Sequence, residues 1–349
     1  MAGFGAVAAV LCACSGPAHA ALAPAIVSLA IQEQQYRERE VLDPTSDEWA
    51  AQPPATQGSP ESTVDEARSH LARGNPARAR DLLAKWVKTN RDHPRHLEAV
   101  YLLGEAEFET KDFNAAYENF ELVIQDGAGE LYSRALRREV DIARAYLAGE
   151  KKIIWGVLRL PAEADGVQIL DRVYERVPGS RLGEDALRYK AEYYFNRGDM
   201  DLAQTEYANL AREYPSGRYV RQATLRAAEA ADASYAGTPF DGRPLIEAEE
   251  RYKTVQLLFP DFAKQERVAE RLDSIDARRA DKDLYIAQWY ERTGQRGAAE
   301  FYYRIVVDEW SESLAAAAAR SRLRAMGIEL APEPGGVTPS GGRDASGGG

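Results

Sequence analysis

The chain has 349 residues, of which 45% are hydrophobic and 28% charged, with a formal net charge of −11 and two cysteines. That length could hold two domains, and the acidic balance argues against general binding to DNA or RNA, whose phosphates select basic surfaces. No run of alternating β-branched residues demands a sheet, so the composition reads as all-α.

From Met1 to Gln32 there is no Asp, Glu, Lys or Arg, and "MAGFGAVAAVLCAC" has the length of a signal-peptide core, too short for a membrane span. Two exits from this segment remain open. "LCAC" resembles a bacterial lipobox and would leave Cys14 lipid-modified, because Ala13 supplies the small residue before the cleavage point. "AHA", ending at Ala20, fits ordinary signal cleavage before Ala21. Cys12 and Cys14 are the only cysteines, so a processed chain has no pair to oxidise and depends on packing. The stretch from Asp43 to Thr63, rich in Pro, Ser, Thr and Gln, reads as a flexible tether, with Ser62 or Thr63 capping the first helix behind it. The expected organisation is a signal over 1–20, an N-terminal segment and linker over 21–62, a helical array over 63–327 and a disordered tail over 328–349.

The array is read from offsets. In "ALRYKAEYYFNRGDMDLAQTEYANLAREYPSGRY", Ala203 follows Ala191 by 12 residues, Tyr207 follows by 4 more, and Pro215 by 8 more. Two helices folded against each other produce that spacing. Ala203 lets the second helix approach the first, aromatic residues fill the gap, Gly198 permits the turn and Pro215 ends the second helix. The 12 and 4 offsets recur at Ala67, Ala79 and Leu83, at Gly104, Ala116 and Phe120, and at Ala287, Ala299 and Tyr303. A further unit retains its second helix at Ala248 and Tyr252 after the insertion "SYAGTPFDGRPL", and a degenerate one places Gly166 in the alanine slot. This is the tetratricopeptide pattern of roughly 34 residues per unit, here as a superhelical array of five to six hairpins.

No catalytic or cofactor motif stands out. His93 and His96 flank Pro94 in a link between hairpins, with no Cys and no nearby carboxylate cluster to complete a metal site. There is no Gly-rich phosphate loop behind a strand and no Ser or Cys beside a His in a known arrangement. Glu249 and Glu250 read as a solvated helix surface. One insertion, "GEKKIIWGVLRLPAEADG", carries Ile154, Trp155 and Leu158 beside cationic residues. Its apolar groups either cover an edge of the array or contact a partner, since Trp and Arg are favoured at binding hot spots.

The repeats behind a lipobox resemble the outer-membrane assembly lipoproteins of the BamD type. The resemblance covers roughly Val64 to Met326 and is carried by "KDLYIAQWYERTGQRGAAEFYYRIVVDEW", by "ARAYLAGE" and by the "VPGS" and "YPSG" turns. It implies a non-catalytic scaffold without cofactors at the periplasmic face of the outer membrane. Its partners would be a β-barrel assembly machinery subunit and unfolded outer-membrane clients, with a lipid anchor if Cys14 is modified and no nucleic acid. It further implies clients on the first two hairpins, from Val64 to Gln125, and partner docking on Lys282 to Trp310. The stretch "YLLGEAEFETKDFNAAYENFELVI" also resembles soluble periplasmic tetratricopeptide scaffolds of other envelope pathways, such as cell-division coordinators.

Overall fold

The computed structural model describes residues 40–42, 49–51, 58–154 and 157–329. The chain divides into two compact units, Met1–Asp65 and Glu66–Gly349. In the first, β1 (Glu40–Leu42) and β2 (Trp49–Ala51) pair antiparallel, with Leu42 opposite Trp49. A strand therefore occupies part of the stretch expected to be a flexible tether. The boundary between the units falls within α1 (Pro60–Ala72). This helix begins ahead of the expected Ser62 or Thr63 cap. Pro60 is preorganised for a first helical position, and Ser59 Oγ accepts the Ser62 amide at 3.2 Å.

The second unit is an all-α, tetratricopeptide-like array. After α1 come α2 (Pro76–Thr89), α3 (His96–Glu109), α4 (Phe113–Asp126), α5 (Gly129–Leu147), α6 (Glu163–Arg176), α7 (Arg181–Arg197) and α8 (Met200–Glu213). The remainder is α9 (Val220–Ala233), α10 (Arg243–Leu258), the short α11 (Pro260–Gln265), α12 (Val268–Arg292), α13 (Arg296–Glu309) and α14 (Leu314–Ala325). Helices α3/α4, α5/α6, α7/α8, α9/α10 and α12/α13 pack as hairpins, and each second helix packs on the first helix of the following hairpin. First helices also meet directly, α3 on α5 and α5 on α7.

The repeat offsets are the core. Ala191, Ala203, Ala287, Ala299 and Tyr303 are all fully buried, as are Ala67, Ala79, Leu83, Ala116 and Phe120. Gly104 faces the Phe120 ring so closely that a Cβ there would lie 2.8 Å from it. Gly166 likewise leaves room for Ala143 and Leu147 of α5, where a Cβ would come within 3.0 Å of the Ala143 carbonyl oxygen. Gly198 closes α7 in the left-handed region at φ 87°. Trp310 stands where α6, α8 and α10 are followed by Pro178, Pro215 and Pro260, and its indole Nε1 donates to Asp283 of α12 at 2.8 Å.

The array is not helical throughout. The insertion between α5 and α6 forms β3 (Lys152–Ile154) and β4 (Leu158–Leu160), paired antiparallel with Ile153 opposite Arg159. Ile153 and Ile154 favour extended backbone, and β3 packs beside α4. Glu249 also departs from a merely solvated surface. Its side chain is 15% exposed and pairs with Lys253 and with Arg279 of α12, whereas Glu250 is exposed.

Candidate protein-binding face

Because the small and aromatic repeat residues are spent on joining each hairpin, the outward edges of the first helices are free for other side chains. Those edges carry arginines stacked on aromatic rings. Arg138 of α5 grips Glu105 of α3 with both Nε and Nη2, at 2.7 and 2.6 Å, and lies 4.7 Å from the centre of the Phe108 ring. Arg188 of α7 lies 4.0 Å from the Tyr189 ring and 4.7 Å from that of Tyr219, while Arg144 of α5 covers Tyr189 at 4.6 Å. Arg226 of α9 covers Phe195 at 5.0 Å. Between α9 and α12 the same edge is ionic, with Glu229 to Arg271 at 2.8 Å and Asp232 to Arg278 at 2.6 Å. Such stacking keeps planar cationic groups ordered next to apolar surface.

Two cavities open on this edge. One, of about 370 Å³, lies between α5 and α7, floored by Leu136, Val177 and Leu182 and rimmed by Arg137, Arg181, Asp185 and Arg218. The other, of about 200 Å³, lies between α7 and α9, with Phe195, Tyr207, Leu210 and Tyr219 as apolar lining and Arg188, Arg226 and Glu192 as charge, Arg188 Nη1 donating to Glu192 at 2.6 Å. Asp185 joins their walls. It accepts from Arg218 Nη2 at 2.6 Å and from Tyr219 Oη at 3.2 Å.

The turns shape this wall. In "VPGSRLGED", Ser180 Oγ caps α7 by accepting from the Gly183 amide at 3.0 Å. In "YPSGRY", the Tyr214 hydroxyl accepts from the Gly179 amide at 3.1 Å, tying one turn to the other. Glu184, only 4% exposed, accepts the Tyr219 amide at 3.1 Å and so fixes the loop that presents Arg218 and Tyr219. A Cβ at Gly217 would fall 2.3 Å from Glu184 Oε1, so this loop requires glycine for space.

A second polar cluster lies inside the array. Glu139 of α5 is fully buried, its Oε2 accepting from Arg176 Nη1 of α6 at 3.0 Å while Oε1 has no donor. Arg176 Nη2 also binds Glu121 of α4 at 2.7 Å, and Glu121 accepts from Tyr117, whose hydroxyl Arg172 meets at 2.5 Å. Burial, with the Glu121 charge beside it, pushes the Glu139 carboxyl up to about 8. Glu121, held by Arg176 and Tyr117, stays below the ordinary range although burial opposes it. The pair thus holds one proton at neutral pH, on Glu139, from which it can donate to Glu121.

Cys14 and Trp155 lie outside the described residues. Ile154 is half-buried on β3 and Leu158 is 44% exposed on β4, and neither lines the two cavities. His93 and His96 order their loop: His93 Nδ1 accepts from the Arg95 amide at 3.1 Å, and His96 Nδ1 meets the Asn90 carbonyl oxygen at 3.1 Å. Among the described residues no three His, Cys, Asp or Glu side chains converge as a metal site. Both cavities sit C-terminal to the Val64 to Gln125 region. In the last hairpin, Trp289, Tyr290, Tyr302 and Phe301 form a chain of ring contacts whose ends, Trp289 and Phe301, are 45% and 60% exposed.

The tetratricopeptide repeat family model matches residues 185–217, which run from Asp185 within α7 through α8 to the turn that supplies Gly217. No curated protein matches the chain. Among solved structures, a tetratricopeptide repeat protein from Parabacteroides merdae shares 9% identity, covers 71% of this chain and 92% of its own, and has a TM-score of 0.34. A thermophilic tetratricopeptide protein from Thermus thermophilus shares 16% identity over 62% of this chain and 98% of its own, with a TM-score of 0.27. PilW, a widely conserved type IV pilus biogenesis factor, shares 14% identity over 77% of this chain and 100% of its own, with a TM-score of 0.28. At residues 185–217 the chain carries a tetratricopeptide repeat, the kind of unit that serves protein–protein interaction.

Proposed function

We propose that this protein is a non-catalytic scaffold of outer-membrane β-barrel protein assembly, binding an extended client along its first-helix edge and a machinery subunit through its last hairpin. The observation that carries this reading is the pair of adjoining cavities between α5, α7 and α9, joined by Asp185, Arg218 and Tyr219. Adjoining cavities, each with an apolar floor and charged side chains around it, suit successive side chains of an extended segment, so modest contacts add along its length. Clients accordingly occupy the middle hairpins in this reading, C-terminal to the region that the BamD-like resemblance implies. The exposed rings of Trp289 and Phe301 support docking on the last hairpin, because aromatic side chains are favoured at protein interfaces. Attachment through a lipid on Cys14, or release into the periplasm by cleavage after Ala20, completes the proposal. Affinity capture from solubilised envelope membranes tests it. The full chain is expected to retain a barrel-assembly subunit, and a chain ending at Asp281 to lose it while remaining folded; equal retention would remove the docking assignment.

A further inference from the structure

The cavity between α5 and α7 has a cationic lining on a chain of net negative charge. Three guanidinium groups, from Arg137, Arg181 and Arg218, face one carboxylate, Asp185, which Arg218 and Tyr219 already engage. Among the described residues Arg137 and Arg181 enter no salt bridge, although the chain as a whole has a net charge of −11. Arg137 uses only Nε, donating to the Ser133 carbonyl oxygen at 3.2 Å within its own helix. Beneath this rim the floor is Leu136, Val177 and Leu182, and the volume of about 370 Å³ is near the lower end for a ligand pocket. That space suits one or two side chains.

We infer that this cavity is a subsite for an acidic side chain carried next to an apolar one, within an extended peptide segment of a client protein. The inference rests on the reading of the first-helix edge as a client surface and names the chemistry that surface selects. The carboxylate meets Arg137 and Arg181, and its apolar neighbour covers the Leu136–Val177–Leu182 floor. An internal segment fits better than a chain end because the wall of Asp185, Arg218 and Tyr219 leads into the α7–α9 cavity, where Phe195, Tyr207 and Leu210 receive the next apolar group. A carboxylate makes charge-assisted contacts with the two guanidinium groups that its neutral amide does not, which separates the two side chains.

The test uses the full chain and two fluorescein-labelled, C-terminally amidated octapeptides with glycine and serine flanks, one containing Phe-Glu-Phe and the other Phe-Gln-Phe. Fluorescence anisotropy is expected to show the Glu peptide binding roughly tenfold or more tightly than the Gln peptide. The double variant R137Q/R181Q, whose two sites are exposed, should lose that preference while binding the Gln peptide as the wild type does. Equal binding of the two peptides by the wild type would overturn the acidic specificity and leave the client-surface reading standing. Binding of neither peptide would overturn both. Should the double variant fail to fold, the wild-type comparison of Glu with Gln, repeated at high salt, decides alone, since a preference that survives screening is not made by these arginines.

Discussion

Replacing Glu139 by Gln tests the buried carboxyl pair. The wild-type side chain is fully buried and protonated at neutral pH because burial and the Glu121 charge raise its carboxyl from the ordinary 4.5 to about 8. In the unfolded chain the group is ionised above its ordinary range. Unfolding therefore releases a proton between about 4.5 and 8, and stability contributed by the protonated group falls as pH rises through that window. Each pH unit of unequal proton binding is worth about 1.4 kcal/mol; Glu139 stays protonated over about two of the three units between pH 6 and pH 9, giving about 2–3 kcal/mol. Glu121 contributes nothing in this range, since its lowered carboxyl titrates in acid. The carboxamide introduced by E139Q offers an oxygen to Arg176 and an N–H toward Glu121, as the protonated acid does, but has no proton to lose. Urea titrations followed by helical circular dichroism should place E139Q within about 1 kcal/mol of wild type at pH 6. At pH 9 the variant should be ahead by about 2–3 kcal/mol more than at pH 6. Hydrogen exchange in α5 localises the effect, as an array can open in segments. A difference between variant and wild type that is the same at both pH values would refute the reasoning.

Other substitutions probe the joints of the array. Phe120→Ala removes a fully buried ring packed against Gly104 and should cost about 3–5 kcal/mol in urea unfolding, with exchange rising first in α3 and α4. Gly217→Ala forces a Cβ toward Glu184 and should cost about 1–3 kcal/mol. It should also weaken peptide binding at the cavities, because the displaced loop carries Arg218 and Tyr219; unchanged binding would show that the loop position does not matter. Trp310→Phe leaves Asp283 without the indole donor and should lower stability by about 1–2 kcal/mol, read as loss of exchange protection in α12 and α13.

The hairpins were legible in the sequence because each uses the same solution to close packing. Ala191, Ala203 and Tyr207 recur as Ala287, Ala299 and Tyr303, and the volumes at those positions are fixed by how near two helices come. The β3–β4 pair was not legible from a helical period, since three-residue strands offer too short a run for any alternation to register. Glu139 had a readable signal that spacing on small residues overlooks. It falls on the same helical stripe as Leu136, Ala143 and Tyr146, an acidic residue on an otherwise buried face. The α5–α7 cavity depends on Arg181 at the start of α7, Arg218 from a later turn and Arg137 from an earlier helix, and that convergence exists only after the hairpins stack. The turns themselves, "VPGS" and "YPSG", were visible, but their hydrogen bonds through Ser180, Tyr214 and Glu184 were not.

The central claim is that the first-helix edge around α7 and α9 receives extended segments of outer-membrane clients. Gln222 lines the α7–α9 cavity and is exposed, whereas Leu257 on α10 is 80% exposed and lies outside both cavities. A photoreactive benzoylphenylalanine in place of Gln222, and separately in place of Leu257, allows crosslinking in living cells during synthesis of barrel proteins. The account predicts crosslinks from position 222 to newly exported β-barrel chains, lost when those chains have folded, and none from position 257. Equal crosslinking from both positions, or none from position 222 while barrel proteins are being assembled, would contradict it.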